Sequence, residues 1–106
     1  MGVSFVSETR GWAVGAKGTI LTTGNGGANW SWQRSGTDEA LRGIAFLTAR
    51  VGWAVGGAGT ILRTSDGGAT WRVTYRASRG LSAVTCTRDG RAIAVGAHGT
   101  VLVFSR

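Results

Sequence analysis

The sequence predicts an all-β protein built from three copies of one repeating unit. The segment GWAVGAKGTIL (11–21) recurs 41 residues later as GWAVGGAGTIL (52–62), and a looser copy, AIAVGAHGTVL (92–102), follows 40 residues further on. Nineteen glycines, no proline and alternating apolar and small residues favour short strands joined by tight turns. A helical fold is disfavoured because glycine interrupts every candidate apolar stripe.

The length of the repeat indicates the architecture. The middle copy contains four strand-like segments, LRGIAFLTA, GWAVGGAG, GTILRTS and TWRVTYRA. Four strands in roughly 40 to 45 residues are typical of one β-propeller blade, whereas a β-helix or leucine-rich repeat has a shorter period. We therefore expect a single propeller segment, with blade 1 over 1–39, blade 2 over 40–79 and a partial blade 3 over 80–106.

The third copy stops at VLVFSR, before an outer strand. A closed propeller needs about four to eight blades, so fewer than three complete blades predict an open arc with exposed apolar faces at both ends. We expect several chains to complete a ring. A dimer is the first choice because twofold symmetry is the commonest, and a trimer is the second. The alternative is that the sequence is part of a longer chain.

One turn carries a recognisable pattern. TSDGGATW (64–71) resembles the Asp-box of BNR-repeat propellers such as sialidases, Ser/Thr-x-Asp-x-Gly-x-Thr-Trp. The wider string GWAVG..GTIL.T.DGG.TW resembles the photosystem II stability and assembly factor family of propellers. The resemblance implies that these turns hold blade strands together, away from any catalytic centre. The residues assigned to this structural role are Asn25, Gly27, Trp30, Asp66, Gly68 and Trp71.

The chemistry of the turn agrees with a structural role. The carboxylate of Asp66 can accept hydrogen bonds from nearby backbone N–H groups, and the glycines permit positive φ. Asn25 can do much of the same work in the first copy, and calcium is poorly supported because no second carboxylate lies in the loop. Trp12, Trp53 and Cys86 are expected to pack in the core. The core is also favoured for Trp32, with partial exposure as the alternative.

Eleven arginines and one lysine oppose five acidic residues, which gives a net charge of +7. This excess predicts an anionic partner. An acidic protein or an anionic membrane surface would fit this charge, and the scatter of the basic residues disfavours nucleic acid. Four arginines at first-to-second turns should share one face and form the candidate binding face: Arg10, Arg50, Arg88 and Arg91. Lys17, His98 and Arg79 are expected on the opposite face. The alternative is that all are solvated loop charges.

Few residues are available for catalysis. Tyr75 is the only tyrosine and is expected on an outer strand, while Glu8 and Glu39 are the only glutamates. One histidine and one cysteine exclude a multi-histidine site and a cysteine-based metal cluster within the chain. We therefore expect no enzymatic activity, metal or cofactor. The preferred function is a non-catalytic, self-assembling scaffold or binding module. The alternatives are an engineered or excised fragment that only assembles, and a glycan-binding or sialidase-related fragment.

The compartment stays open at this level. The start of the sequence has no basic and apolar leader, and no apolar run reaches the roughly 20 residues needed to span a bilayer. Members of the family that the sequence resembles are often lumenal, periplasmic or secreted.

Overall fold

A computed structural model describes residues 2–105, which form three antiparallel sheets in chain order. Blade 1 contains β1 (Gly2–Phe5), β2 (Gly11–Val14), β3 (Ile20–Thr23) and β4 (Ser31–Gln33). Blade 2 contains β5 (Leu41–Phe46), β6 (Gly52–Gly56), β7 (Thr60–Thr64) and β8 (Arg72–Arg76). Blade 3 contains β9 (Leu81–Cys86), β10 (Arg91–Gly96) and β11 (Val101–Ser105). This architecture confirms the predicted all-β fold of blades with four, four and three strands.

Each sheet is a meander in which consecutive strands pair antiparallel. The second and third strands pair in the same register in the two complete blades: Gly11 pairs with Thr23 in blade 1, and Gly52 pairs with Thr64 in blade 2. The first strands of neighbouring blades come closest together. A Cβ added to Gly43 on β5 would lie 2.9 Å from the Cα of Ala83 on β9, so this approach requires glycine. The first strands are therefore innermost, and β8 lies exposed on the outside.

The second and third strands of every blade are joined by a single 3-10 turn, at Ala16–Gly18, Gly57–Gly59 and Ala97–Gly99. The central residue of each turn, Lys17, Ala58 or His98, has φ near +57°. Three different side chains adopt this left-handed conformation, so the blade geometry sets the turn and the identity of the side chain does not. Among residues 2–105 no helix is long and apolar enough to cross a membrane.

Hydrophobic packing occurs between the blades. Trp12, Val14 and Ile20 of blade 1 pack against a set of blade 2 residues that includes Phe46 and Trp71. The indole of Trp12 stacks on the ring of Phe46 with 3.5 Å between centroids. The second core joins blades 2 and 3 around Trp53, Val55, Ile61, Leu81, Ala92 and Ala94.

Trp12 and Trp53 are buried, as the sequence predicts, whereas the prediction for Trp32 was wrong and Cys86 is buried only in part. Trp32 is 76% exposed, because it lies on β4, the outer strand of its blade, where no neighbouring blade covers it. Cys86 is only partly buried, at the end of β9 against the second core.

The same blade positions are buried inside the molecule and exposed at its two ends. Trp71 on the covered face of blade 2 is 7% exposed, whereas the equivalent Trp30 on the free face of blade 1 is 38% exposed. At the other end, Ile61 of blade 2 is 1% exposed and the equivalent Val101 of blade 3 is 61% exposed. The open arc therefore presents two uncovered apolar faces.

Candidate interaction surfaces

The turn between β7 and β8 is organised around the carboxylate of Asp66. Its Oδ1 accepts hydrogen bonds from the Thr64 hydroxyl at 2.8 Å and the Thr70 backbone N–H at 2.9 Å. Its Oδ2 accepts from the Thr70 hydroxyl at 2.6 Å. These bonds, with the Thr70 hydroxyl contributing most, lower the pKa of Asp66 to about 2. Both carboxylate oxygens are thus occupied in holding the turn.

The turn between β3 and β4 has the same form with Asn25 in place of the aspartate. Asn25 Oδ1 accepts from the Thr23 hydroxyl and from the Asn29 backbone N–H, each at 2.9 Å. Gly27 and Gly68 occupy equivalent positions with φ of +96° and +92°. Asn25 therefore reproduces the Oδ1 bonds of Asp66, and the Oδ2 bond belongs to blade 2 alone.

The turn of blade 2 also joins the two complete blades. The carbonyl oxygen of Gly67 accepts hydrogen bonds from Trp12 Nε1 at 3.3 Å, Gln33 Nε2 at 3.2 Å and Arg10 Nη2 at 3.5 Å. In return, Gln33 Oε1 accepts from Trp71 Nε1 at 3.2 Å. Three donors on blade 1 thus converge on one carbonyl of blade 2. Sequence reasoning missed the part played by Gln33, because nothing in its local pattern indicates a contact 34 residues away.

The candidate arginines lie on the edge of the molecule that carries these turns. The Gly26 N–H donates to the Thr9 carbonyl and the Gly67 N–H donates to the Arg50 carbonyl, each at 2.9 Å. These bonds tie each first-to-second turn to the third-to-fourth turn of its own blade. We call this side the turn edge.

The four arginines differ in their surroundings. Arg10 is half-buried, with its guanidinium 5.0 Å from the Trp12 ring centroid, so much of it is engaged between blades. Arg50 and Arg88 are exposed, and Arg91 places its Nε 3.7 Å from Asp89 Oδ2. The Thr87 hydroxyl, and more weakly Arg91, lower the pKa of Asp89.

Acidic side chains moderate the charge of the turn edge. Glu8 and Asp89 lie in first-to-second turns together with Arg10, Arg88 and Arg91, and Asp66 lies in the third-to-fourth turn of blade 2 on the same edge. On the opposite edge, Lys17 and His98 are exposed in the 3-10 turns and Arg79 is exposed in the connection to blade 3. Arg50, Arg88 and Arg91 are therefore the exposed positive charges of the proposed binding face, and Arg91 also lies within ion-pair distance of Asp89.

An open groove of about 570 Å³ lies between blades 2 and 3, next to β11. Trp53, Ile61 and Arg63 line it from blade 2, and Leu102 and Phe104 line it from blade 3. The sequence analysis did not identify this groove.

Catalytic groups do not converge in the described part of the chain. Tyr75 is exposed on β8, and no three His, Cys, Asp or Glu side chains among residues 2–105 come close enough to hold a metal ion. Partial burial raises the pKa of the Cys86 thiol to about 11, so this cysteine is protonated at neutral pH.

Comparison with known proteins gives a match in structure only. No protein-family model matches the chain, and no curated protein matches its sequence. YCF48 bound to D1 peptide superposes with a TM-score of 0.86 at 24% identity, over 98% of this chain and 36% of that one. YCF48 from Cyanidioschyzon merolae superposes with a TM-score of 0.81 at 23% identity, over 97% and 35%.

This chain therefore spans about a third of the length of the YCF48 structures that it matches. YCF48 is a photosystem II assembly factor with a β-propeller fold. At this level of identity the likeness establishes the fold, and the resemblance to assembly-factor propellers is confirmed in that respect.

Proposed function

We propose that the protein is a non-catalytic β-propeller binding module whose blades form a ring with a second copy of the chain. The observation that carries the proposal is the correspondence between the two exposed ends. Val3, Phe5 and Trp30 occupy the positions that Ile44, Phe46 and Trp71 occupy on the covered face of blade 2. At the other end, Val95 and Val101 occupy the positions of Val55 and Ile61, which pack against the next blade in the core between blades 2 and 3.

This correspondence favours head-to-tail association, in which blade 1 of one copy packs on blade 3 of another. Each contact would repeat the packing between consecutive blades and would bury apolar side chains that water now surrounds. Two chains supply six blades, within the range of about four to eight for closed propellers. Three chains supply nine, so the dimer stays ahead of the trimer.

The first experiment is sedimentation equilibrium of the purified chain and of Val3→Lys and Val101→Lys. A lysine at either end should prevent ring closure, because its charge cannot be buried without a partner. An equimolar mixture of the two variants should form a pair joined through the one intact interface. Val73→Lys, which alters an exposed valine on the outer strand, is the control and should assemble like the unmodified chain. A monodisperse monomer at all concentrations would contradict ring assembly.

The second part of the proposal concerns the partner. YCF48 binds a D1 peptide, and we propose that this chain likewise binds a segment of another protein through the turn edge. The net charge of +7 favours an acidic segment. Arg50 and Arg91 would contribute through exposed guanidinium groups, which pair well with carboxylates.

Binding can be measured by fluorescence anisotropy with labelled D1 peptide as the probe. Arg50→Glu and Arg91→Glu should each weaken binding, and added salt should weaken it further. Lys17→Glu makes the same charge change on the opposite edge and is the matched control. Equal loss in all three variants would indicate attraction by net charge alone and would count against the turn edge.

A further inference from the structure

The groove between blades 2 and 3 corresponds to a site that is filled between blades 1 and 2. There, the turn and outer strand of blade 2 place Trp71 beside Phe46 and Gln33. We propose that the groove and the free edge of β11 together accept an extended Asp-box strand with a tryptophan from another polypeptide. This proposal deepens the proposed function, since it names a partner chemistry for the binding module.

The two sites share part of their walls. Trp12 and Ile20 of blade 1 correspond to Trp53 and Ile61 of blade 2, and all four side chains are buried. Leu62 corresponds to Leu102, since both pair with the central alanine of the neighbouring strand. Thr74 and Tyr75 on β8 lie where Gln33 lies on β4. The groove therefore has part of the walls of a tryptophan site, with Phe104 as its aromatic ring and Cys86 at the position of Phe46.

The groove also contains a hydrogen-bond donor that has no acceptor among residues 2–105. The indole N–H of Trp12 donates to Gly67 O in the Asp-box turn of blade 2. The equivalent Trp53 lines the groove, and none of the side-chain hydrogen bonds among residues 2–105 uses its indole N–H. Nearby, Arg63 Nε is buried and has no hydrogen-bond partner in the same part of the chain. A carbonyl in an incoming turn would satisfy the indole.

The edge of β11 supplies the backbone part of the site. The third strand of blade 2, β7, pairs with β6 on one side and β8 on the other. Within the described residues β11 pairs with β10 alone, so its other edge presents unpaired N–H and C=O groups. Addition of a strand to such an edge is a common mode of peptide recognition. By analogy with the pairing of Ile61 with Tyr75, Val101 would pair with the residue four positions after the tryptophan.

The probe is a fluorescently labelled peptide with the sequence of residues 65–76, SDGGATWRVTYR, added to the intact chain and followed by anisotropy. We expect saturable binding of one peptide per chain. Replacing the peptide's tryptophan, Trp71→Ala, should weaken binding by tenfold or more, on the order of burying a large aromatic side chain. Val73→Pro in the peptide keeps the tryptophan but breaks strand pairing, and it should weaken binding to a similar degree.

Two matched variants of the chain test the acceptor. Trp53→Phe keeps the aromatic wall but removes the donor, and should weaken peptide binding by about three- to tenfold. Trp12→Phe makes the same change in the filled interface and should leave peptide affinity unchanged. Thermal unfolding of both variants shows that each is folded at the assay temperature.

Three outcomes would overturn the proposal: no saturable binding, equal binding of the Trp71→Ala peptide, or equal effects of the two tryptophan variants on the chain. Sedimentation of the same samples without peptide reports ring assembly separately. A chain that assembles but binds no peptide would refute the strand acceptor and leave the proposed function standing. A chain that binds peptide but remains a monomer would refute ring assembly and leave the strand acceptor standing.

Discussion

The interfaces of blade 2 with its two neighbours use equivalent positions but are packed to different degrees. Between blades 1 and 2, Trp12 and Phe46 lie nearly parallel, at 8°, with 3.5 Å between ring centroids. Between blades 2 and 3, Trp53 meets Phe104 edge-to-face, at 70° and 6.2 Å. The position of Phe46 is taken by Cys86 in blade 3, and the Phe104 ring only partly fills the space.

The difference shows that a pair of sheets is not enough to seal a blade interface in this molecule. The closed interface also needs the turn and outer strand of the following blade, which bring Gly67 and Trp71 against Trp12 and Gln33. The open interface has the sheets without that turn and strand among the described residues. Formation of the sheets alone therefore does not close an interface between blades in this structure.

The largest expected effect comes from truncating the two equivalent tryptophans. Trp12→Ala removes a stacked, hydrogen-bonded indole and should lower the free energy of unfolding by about 3–5 kcal/mol. Trp53→Ala should cost about 1–2 kcal/mol less, because its indole has fewer partners to lose and the groove already admits water. Urea unfolding followed by circular dichroism measures both. Equal costs would show that the two interfaces are packed alike.

Much of this architecture could be predicted from the sequence, because the repeat is a matter of spacing. The recurrence of GWAVG and GTIL at 41 residues indicated the blade size, and the turns fell where glycines cluster. Trp32 was placed wrongly because an alternating pattern shows that the two faces of a strand differ, but it does not show which face a neighbouring blade covers. Its exposure depends on the position of β4 at the outside of the blade.

The second pair of substitutions tests the contact that Gln33 makes. A Cβ at Gly68 would lie 2.1 Å from Gln33 Oε1, whereas a Cβ at Gly27 would meet nothing closer than Trp30 at 3.5 Å. Both alanines suffer the same positive-φ strain, so the difference between them isolates the displaced glutamine. Gly68→Ala should be less stable than Gly27→Ala by about 1–2 kcal/mol, the value of the hydrogen bonds that Gln33 donates to Gly67 and accepts from Trp71.

Chemical denaturation of both alanine variants gives this comparison directly. Gln33→Ala supplies the control, because removing the glutamine should abolish the difference between the two glycine positions. If the gap between Gly68→Ala and Gly27→Ala survives in the Gln33→Ala background, the contact with Gln33 is not its cause.

The third prediction compares the two turns through pH. The folded pKa of Asp66 is about 2, below its ordinary value of 3.8, so its contribution to stability is complete above pH 4 and is lost as the pH falls towards 2. Asp66→Asn should lower the urea midpoint at pH 6, and its difference from the unmodified chain should shrink in acid. Asn25→Asp is the reciprocal change. Asn25→Asp should raise the urea midpoint at pH 6 by less than Asp66→Asn lowers it. The reason is that Asn29 stands in blade 1 where Thr70 donates to Asp66 Oδ2 in blade 2.

The candidate sites were less predictable than the fold. The motif pointed to Asp66 and Asn25, but their hydrogen bonds stay within the turns, whereas the contacts between blades come from Arg10, Trp12 and Gln33. The placement of arginines at turns could be derived from strand order. The sharing of that edge with Glu8, Asp66 and Asp89, and the engagement of Arg10 by Trp12, depend on side-chain positions that strand order does not determine.

The smallest effects are expected at the exposed tryptophans of blade 1. Trp32→Ala should change stability by no more than about 0.5 kcal/mol, because the side chain is surrounded mostly by water. Trp30→Ala should cost slightly more, about 1 kcal/mol, since its ring meets Phe5 edge-to-face at 6.2 Å. Dilute samples below the concentration for self-association give these values.

At higher concentration the two variants should differ in assembly. Trp30→Ala should lose more of it than Trp32→Ala, because Trp30 would occupy the buried place of Trp71 in a ring while Trp32 stays outside. A larger loss of assembly in Trp32→Ala than in Trp30→Ala would mean that copies meet through their outer strands and not through the end faces of the arc.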